Sequence, residues 1–131
     1  MKKEKSCGCL VFDDENKILL VKMKQGHWSF PKGHVEDDES EYQTAIRETK
    51  EETNIDCKII AGFKEINTYS PYPGVMKDVI FFVAKAVNKD IKIQQEEVQE
   101  SDFYTIDDAL ELITFDTDKE ILIKAKAFYL K

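Results

Sequence analysis

Apolar positions along this chain recur with two periods, and the switches between them predict the elements. Ser6 to Phe12 (SCGCLVF) and Ile18 to Met23 (ILLVKM) read as strands. The DDENK stretch between them is turn chemistry, so the pair predicts a hairpin. Gln25 to His27 is a loop, and Trp28 to Phe30 is a short aromatic segment that Pro31 stops. PKGH and the residues after it continue as loop. From Glu41 to Thr53 the period becomes helical. Ser40 and Gln43 form a capping box at its start, and Tyr42, Ala45, Ile46 and Thr49 are its expected buried side.

Ile55 to Ile66 is an expected strand bent at Gly62, followed by a loop from Asn67 to Met76 with two prolines and two tyrosines. Lys77 to Val87 is the most hydrophobic segment and the expected central strand. Short strands are expected at Ile91–Gln94 and Phe103–Ile106, and a short helix at Asp107–Ile113. A capping box of Thr117 and Glu120 opens a last helix that runs to Leu130, with Ile121, Ala125 and Phe128 on one face. The order β-β-β-α-β-β-β-β-α-α, with short connections and no repeat or linker, predicts an α+β fold in which helices cover a mixed sheet.

The helix after Ser40 carries an electrostatic problem. Glu48, Glu51 and Glu52 stand at i, i+3 and i+4, so three like charges share one face. Arg47 is adjacent in sequence but points about 100° away on a helical wheel. The dipole disfavours carboxylates near a helix C-terminus. Hard divalent cations would resolve the conflict, because Mg2+ and Mn2+ take oxygen ligands and bridge carboxylates to phosphates. Taken alone, such a run of glutamates is most often a solvated helix face.

Composition narrows the classes. The 131 residues are expected to form one domain, 1–131, with 42% hydrophobic and 34% charged residues. A formal charge of −7 argues against a duplex-binding surface, which needs clustered Lys and Arg. It does not exclude an anionic substrate held through metal. The apolar runs are too short to span a bilayer. The three cysteines, Cys7, Cys9 and Cys57, include no C-x-x-C pair, so reduced thiols and a cytoplasmic location are expected.

Gly33, Glu39, Arg47, Glu48, Glu51 and Glu52 fall at the spacing G-x5-E-x7-R-E-x2-E-E, and Ile55 closes the pattern. This stretch, residues 33–55, resembles the signature box of the Nudix hydrolases, G-x5-E-x7-R-E-U-x-E-E-x-G-U with U bulky and apolar. Thr49 replaces an apolar residue and Asn54 replaces the last glycine. Thr49 can turn its methyl to the core. Asn54 tolerates the left-handed turn that ends a helix. The resemblance implies an α/β/α sandwich and metal-dependent hydrolysis of a nucleoside diphosphate linked to another group. It implies Mg2+ or Mn2+ held by Glu48, Glu51, Glu52 and the Gly33 carbonyl. Glu48 is then ligand or general base, and Glu97 is the best candidate base and ligand outside the box. Arg47 and Glu39 are expected to pair and orient the helix.

HWSFPKGHVE (27–36), GFKEINTY (62–69), Lys77-x-Val79 and an acidic pair before an aromatic strand resemble the asymmetric dinucleoside tetraphosphate hydrolases within that family. For such a substrate Lys32, His34 and Lys77 would contact phosphates. Tyr69 would stack on a base, with Phe128 the second choice. Trp28 reads as packing, and Tyr72 as a loop residue at the pocket rim. Other readings keep the chemistry and change the substrate, to the 5′ end of capped or triphosphorylated RNA or to an oxidised nucleotide. A non-catalytic nucleotide sensor is a reading of another class, disfavoured by a complete box. A monomer or weak dimer with no DNA or membrane partner is expected.

Overall fold

The computed structural model describes residues Met1–Lys131. Ten elements follow in the order β1 (Lys2–Phe12), β2 (Ile18–Met23), β3 (Trp28–Ser29), β4 (Lys32–His34), α1 (Glu41–Thr53), β5 (Cys57–Tyr69), β6 (Val75–Ala86), β7 (Val98–Tyr104), α2 (Ile106–Leu112) and α3 (Asp116–Tyr129). The β1–β2 hairpin is present. Its turn is held by Asp13, whose carboxylate accepts from the amides of Glu15 and Lys17, both at 2.9 Å.

The strand order is β3-β2-β1-β6-β5, with β7 on β2 and β4 on β1. β1 and β6 are parallel along their whole length, and β5 is antiparallel to β6, so the sheet is mixed. Two apolar layers flank it. Leu10, Phe12, Val79, Phe81 and Val83 pack under Ala109 of α2 and Ile121, Leu122 and Ala125 of α3. Cys7, Cys9, Val11, Ile80 and Phe82 face the other way, toward Ala45 of α1. Alternation along β1 and β6 sends successive side chains to opposite layers, which yields the α/β/α sandwich.

The site depends on a wedge in this sheet. β1 and β2 are in register at Phe12 and Ile18. Further along, β4 lies against β1 instead, with Ser6 opposite His34 and Gly8 opposite Lys32. Lys32–His34 of PKGH is thus strand rather than loop. Gly8 permits it, because a Cβ there would overlap the Pro31 carbonyl and the Lys32 side chain.

Other expectations need correction. Ile91–Gln94 forms no strand. Its amides bind the open end of α1 instead, Lys92 N–H to the Thr53 carbonyl at 2.9 Å and Gln94 N–H to the Glu52 carbonyl at 3.1 Å. β5 continues to Tyr69 and β6 begins at Val75, so the connecting loop is shorter than the prolines suggested. β7 starts at Val98, ahead of its first apolar pair. Thr117 caps nothing: the N-cap of α3 is Phe115, with no side-chain capping bond. On α1, Tyr42 and Ile46 are exposed, while Thr44, Ala45, Thr49, Glu52 and Thr53 are buried. Small side chains let the helix lie close to the sheet, and Tyr42 packs by its edge on Phe82.

Candidate active site

The helix that carries the acids is closed at both ends by its own sequence. The capping box is complete, with Ser40 Oγ accepting from Gln43 N–H at 3.1 Å and the Gln43 side chain accepting from Ser40 N–H at 2.8 Å. Asn54 takes the left-handed conformation at φ 67°. Thr49 is fully buried and satisfies its hydroxyl on the Ala45 carbonyl at 2.8 Å. Both departures from the box are therefore accommodated.

The three box glutamates occupy different environments. Glu52 is only 2% exposed, and its Oε1 has no hydrogen-bond partner. Burial, reinforced by the Glu48 charge, pushes its carboxyl up to about 8. Glu48 is half-buried and also raised, chiefly by burial. Its carboxylate occupies the space that a Cβ on Gly33 would fill. Gly33 thus lets the acid press against the β4 backbone. Glu51 is exposed. Glu97 stands in the turn before β7, and its charge acts on both Glu48 and Glu52. The docking of residues 92–94 on the end of α1 brings it there.

Arg47 is closer to these acids than a helical wheel suggests. Its guanidinium binds Glu39 through two nitrogens, and also reaches Glu48 at 2.9 Å, Glu51 at 3.1 Å and the His34 carbonyl at 3.0 Å. The long side chain folds back across the helix surface. Arg47 holds the Glu39 carboxyl down at about 2, and Glu39 also accepts from Glu36 N–H and the Thr44 hydroxyl. The expected Arg47–Glu39 pair exists, and it ties the loop before α1 to two of the box acids. Glu52 is outside its reach.

These groups open into a cavity of about 570 Å³, lined by Glu48, Glu51, Glu52, Glu97, Lys32 and Lys77 among others, with Gly33 and His34 also on its wall. Lys77 Nζ lies 3.5 Å from His34 Nε2. Burial lowers the Lys77 ammonium from its ordinary value, with the Lys32 charge adding to the effect. Acids and cations therefore share the wall of one cavity.

A second cavity, of about 350 Å³, shares His27 and Lys32 with the first. Tyr69 and Phe115 line it, with Val79, Phe81, Asn67 and Asp118. Phe128 does not. It packs on Phe63, with ring centroids 5.6 Å apart, and over Gly62. Phe115 lines the cavity where Phe128 was expected, with its ring centroid 5.8 Å from that of His27. No periodic pattern points to Phe115. The available signal was a lone aromatic in the polar run before a helix. Trp28 packs edge-on to Tyr104, and Tyr72 donates to Glu4 at 3.1 Å; neither lines these two cavities.

The donor set suits a hard divalent cation. It is all oxygen, it includes a buried carboxylate oxygen with no partner, and mutual repulsion of its acids is only partly offset by Arg47. A mixed sheet between helices, with carboxylates on a loop-helix-loop in one cavity with lysines, can hold divalent cations beside an anionic substrate. The family described as NUDIX domain matches residues 2–125, and the chain belongs to it.

Among its relatives, the asymmetrical bis(5′-nucleosyl)-tetraphosphatase of Sus scrofa is 32% identical over 139 residues, covering 95% of this chain and 94% of that protein. Its Caenorhabditis elegans namesake is 35% identical over 113 residues, covering 85% and 82%. A crystal structure of a C. elegans Ap4A hydrolase binary complex superposes with a TM-score of 0.86 at 32% identity, covering 97% of this chain and 98% of that one. Nudix hydrolases act on pyrophosphate bonds of small nucleotide substrates and generally use divalent metals such as Mg2+ or Mn2+.

Proposed function

We propose that this Nudix hydrolase cleaves dinucleoside tetraphosphates asymmetrically, to a nucleoside triphosphate and a monophosphate. The observation that carries this reading is the junction of two cavities at Lys32 and His27, one acidic and one aromatic. A nucleoside in the aromatic cavity would extend its phosphate chain past Lys32 into the acidic one. The likeness to the tetraphosphatases supports the same substrate.

Glu48, Glu51, Glu52 and Glu97, with the Gly33 carbonyl, would hold Mg2+ or Mn2+. Such ions neutralise phosphate charge and lower the pKa of an attacking water. The buried Glu52 is the anchor, because its free oxygen has no other partner. Glu48 and Glu97 are the two candidates for accepting the proton of the attacking water. Lys32, His34 and Lys77, which line the same cavity, bind phosphate oxygens. Tyr69 and Phe115 flank the base, each face offering stacking area. Arg47 orients Glu48 and Glu51, and Glu39 orients Arg47.

The deciding experiment is product analysis with diadenosine tetraphosphate and Mg2+ in 18O-labelled water. ATP plus AMP is expected, with the label naming the attacked phosphorus. Two ADP would reject asymmetric cleavage. No turnover of this substrate, with turnover of another nucleoside polyphosphate, would reject the substrate.

A further inference from the structure

The aromatic cavity contains a charged group that phosphate chemistry does not use. Asp118, in the first turn of α3, is 6% exposed and lines the cavity beside Tyr69 and Phe115. One of its oxygens is committed: Oδ2 accepts from Ser29 Oγ at 3.0 Å, across from β3. Oδ1 accepts no hydrogen bond from the protein, yet it is not sealed in the interior as Glu52 Oε1 is. A carboxylate oxygen thus reaches the cavity without a donor. Burial raises the Asp118 pKa, and the Ser29 hydrogen bond and then the Lys32 charge offset only part of this. A carboxylate oxygen left open to the cavity is free to accept from a donor that a ligand brings.

The remaining walls narrow what that donor is. Val79 and Phe81 supply an apolar floor, and Tyr69 and Phe115 supply flat surfaces. These walls suit a planar ring, whose edge would then meet Asp118. We propose that Asp118 is a specificity-determining residue whose Oδ1 accepts a hydrogen bond from the exocyclic 6-amino group of adenine, so that the site selects adenosine over inosine nucleotides. The inference rests on the nucleotide reading of the site given above. Hypoxanthine carries a carbonyl oxygen in place of the amine, and in the same pose two lone-pair oxygens would face each other. Ser29 is the positioning residue. Its hydroxyl holds Oδ2 and so turns Oδ1 toward the ligand.

The test is the dissociation constant of the uncleavable methylene-bridged triphosphates of adenosine and inosine, each with Mg2+, measured by calorimetry. The unmodified protein is expected to favour the adenosine analogue by at least about 10-fold, the range for an unpaired hydrogen-bonding group in a site. In Asp118→Asn the Ser29 hydroxyl still donates to the amide carbonyl. The amide N–H2 then faces the cavity and offers a donor to the hypoxanthine oxygen. The preference should shrink to parity or reverse, with the melting curve preserved. A purely structural Asp118–Ser29 tether would change the melting temperature and leave the ratio alone.

Equal affinities in the unmodified protein overturn the inference, and so does an unchanged ratio in Asp118→Asn. The first comparison needs no variant and decides even if the variant does not fold. Binding of neither analogue overturns the nucleotide reading and this inference with it. Binding of both without discrimination overturns this inference alone.

Discussion

Two carboxylate clusters on this molecule look alike in the sequence and differ in their solution to the same repulsion. In the β1–β2 turn, the acids of Asp13, Asp14 and Glu15 converge within 4.8 Å. Lys89 fills their centre, with Nζ at 3.3, 2.7 and 3.4 Å from the three. Asp13 also accepts the turn amides. That cluster is complete, and it holds a hairpin. Around α1, Arg47 reaches Glu39, Glu48 and Glu51 but leaves Glu52 buried with an unpartnered oxygen. The density of acids is therefore a poor guide to chemistry. The better guide is a buried carboxylate whose compensation the fold leaves out, since the charge must be met by something from outside.

The largest test of this contrast removes the uncompensated acid. Glu52→Gln should lower turnover by at least about 100-fold with the fold intact, as expected on losing a metal ligand. Near-normal kcat in a folded variant would place the metal elsewhere.

A second test reads the same charge without turnover. The folded-state pKa of Glu52 is about 8, against 4.5 for an ordinary glutamate. Between those values the metal-free folded protein holds a proton that the unfolded chain has released. Stability from this group is thus full below the lower value and is lost as pH rises through the upper one. Between about pH 5.5 and 7.5, metal-free stability should fall by about 2 kcal/mol by chemical denaturation. Mg2+ should flatten the slope, and Glu52→Gln should remove most of it, leaving the smaller effects of Glu48 and Asp118, whose pKa values burial also raises. His27, whose burial lowers its pKa, contributes a slope of opposite sign. A stability that rises across this window would refute the burial of charge at Glu52.

The aromatic cavity gives a smaller effect on binding. Phe115→Ala and Tyr69→Ala should each raise KM for dinucleotides by about 10-fold, within the range for a base stacked on an aromatic ring. Phe128→Ala should leave KM unchanged and lower the melting temperature, since that ring packs on Phe63. A KM effect at Phe128 and none at Phe115 would restore the assignment made from the sequence. The smallest effect is expected where the charges are already paired. Lys89→Ala should leave kcat and KM within about twofold, as usual for a surface change remote from the site. A large loss would show that the turn cluster serves the reaction.

Much of this was legible before folding. The box residues, the capping box of Ser40 and the left-handed Asn54 are local, because helix ends are decided by a few consecutive residues. The hairpin turn at Asp13 is local for the same reason. Most strand identities followed from short apolar runs, whose period survives in any sheet order. The α/β/α arrangement followed from the resemblance that the box carries.

Other features depend on contacts distant in the chain. PKGH reads as loop, and its Lys32–His34 becomes strand because Gly8 leaves room for it on β1. Ile91–Gln94 reads as strand, but its amides satisfy carbonyls that α1 exposes some forty positions earlier. Phe115 displaces Phe128 because the N-cap of α3 lies over the same cavity as Tyr69, which periodicity cannot report. Glu52 looks identical to Glu51 in the sequence, yet one is sealed and the other exposed. Thus the sequence by itself determined most of the elements, the box and the kind of chemistry, since these rest on local spacing and side-chain type. Only the tertiary structure decided which carboxylate is left without a partner and which aromatic faces the cavity, because burial and proximity are properties of packed surfaces.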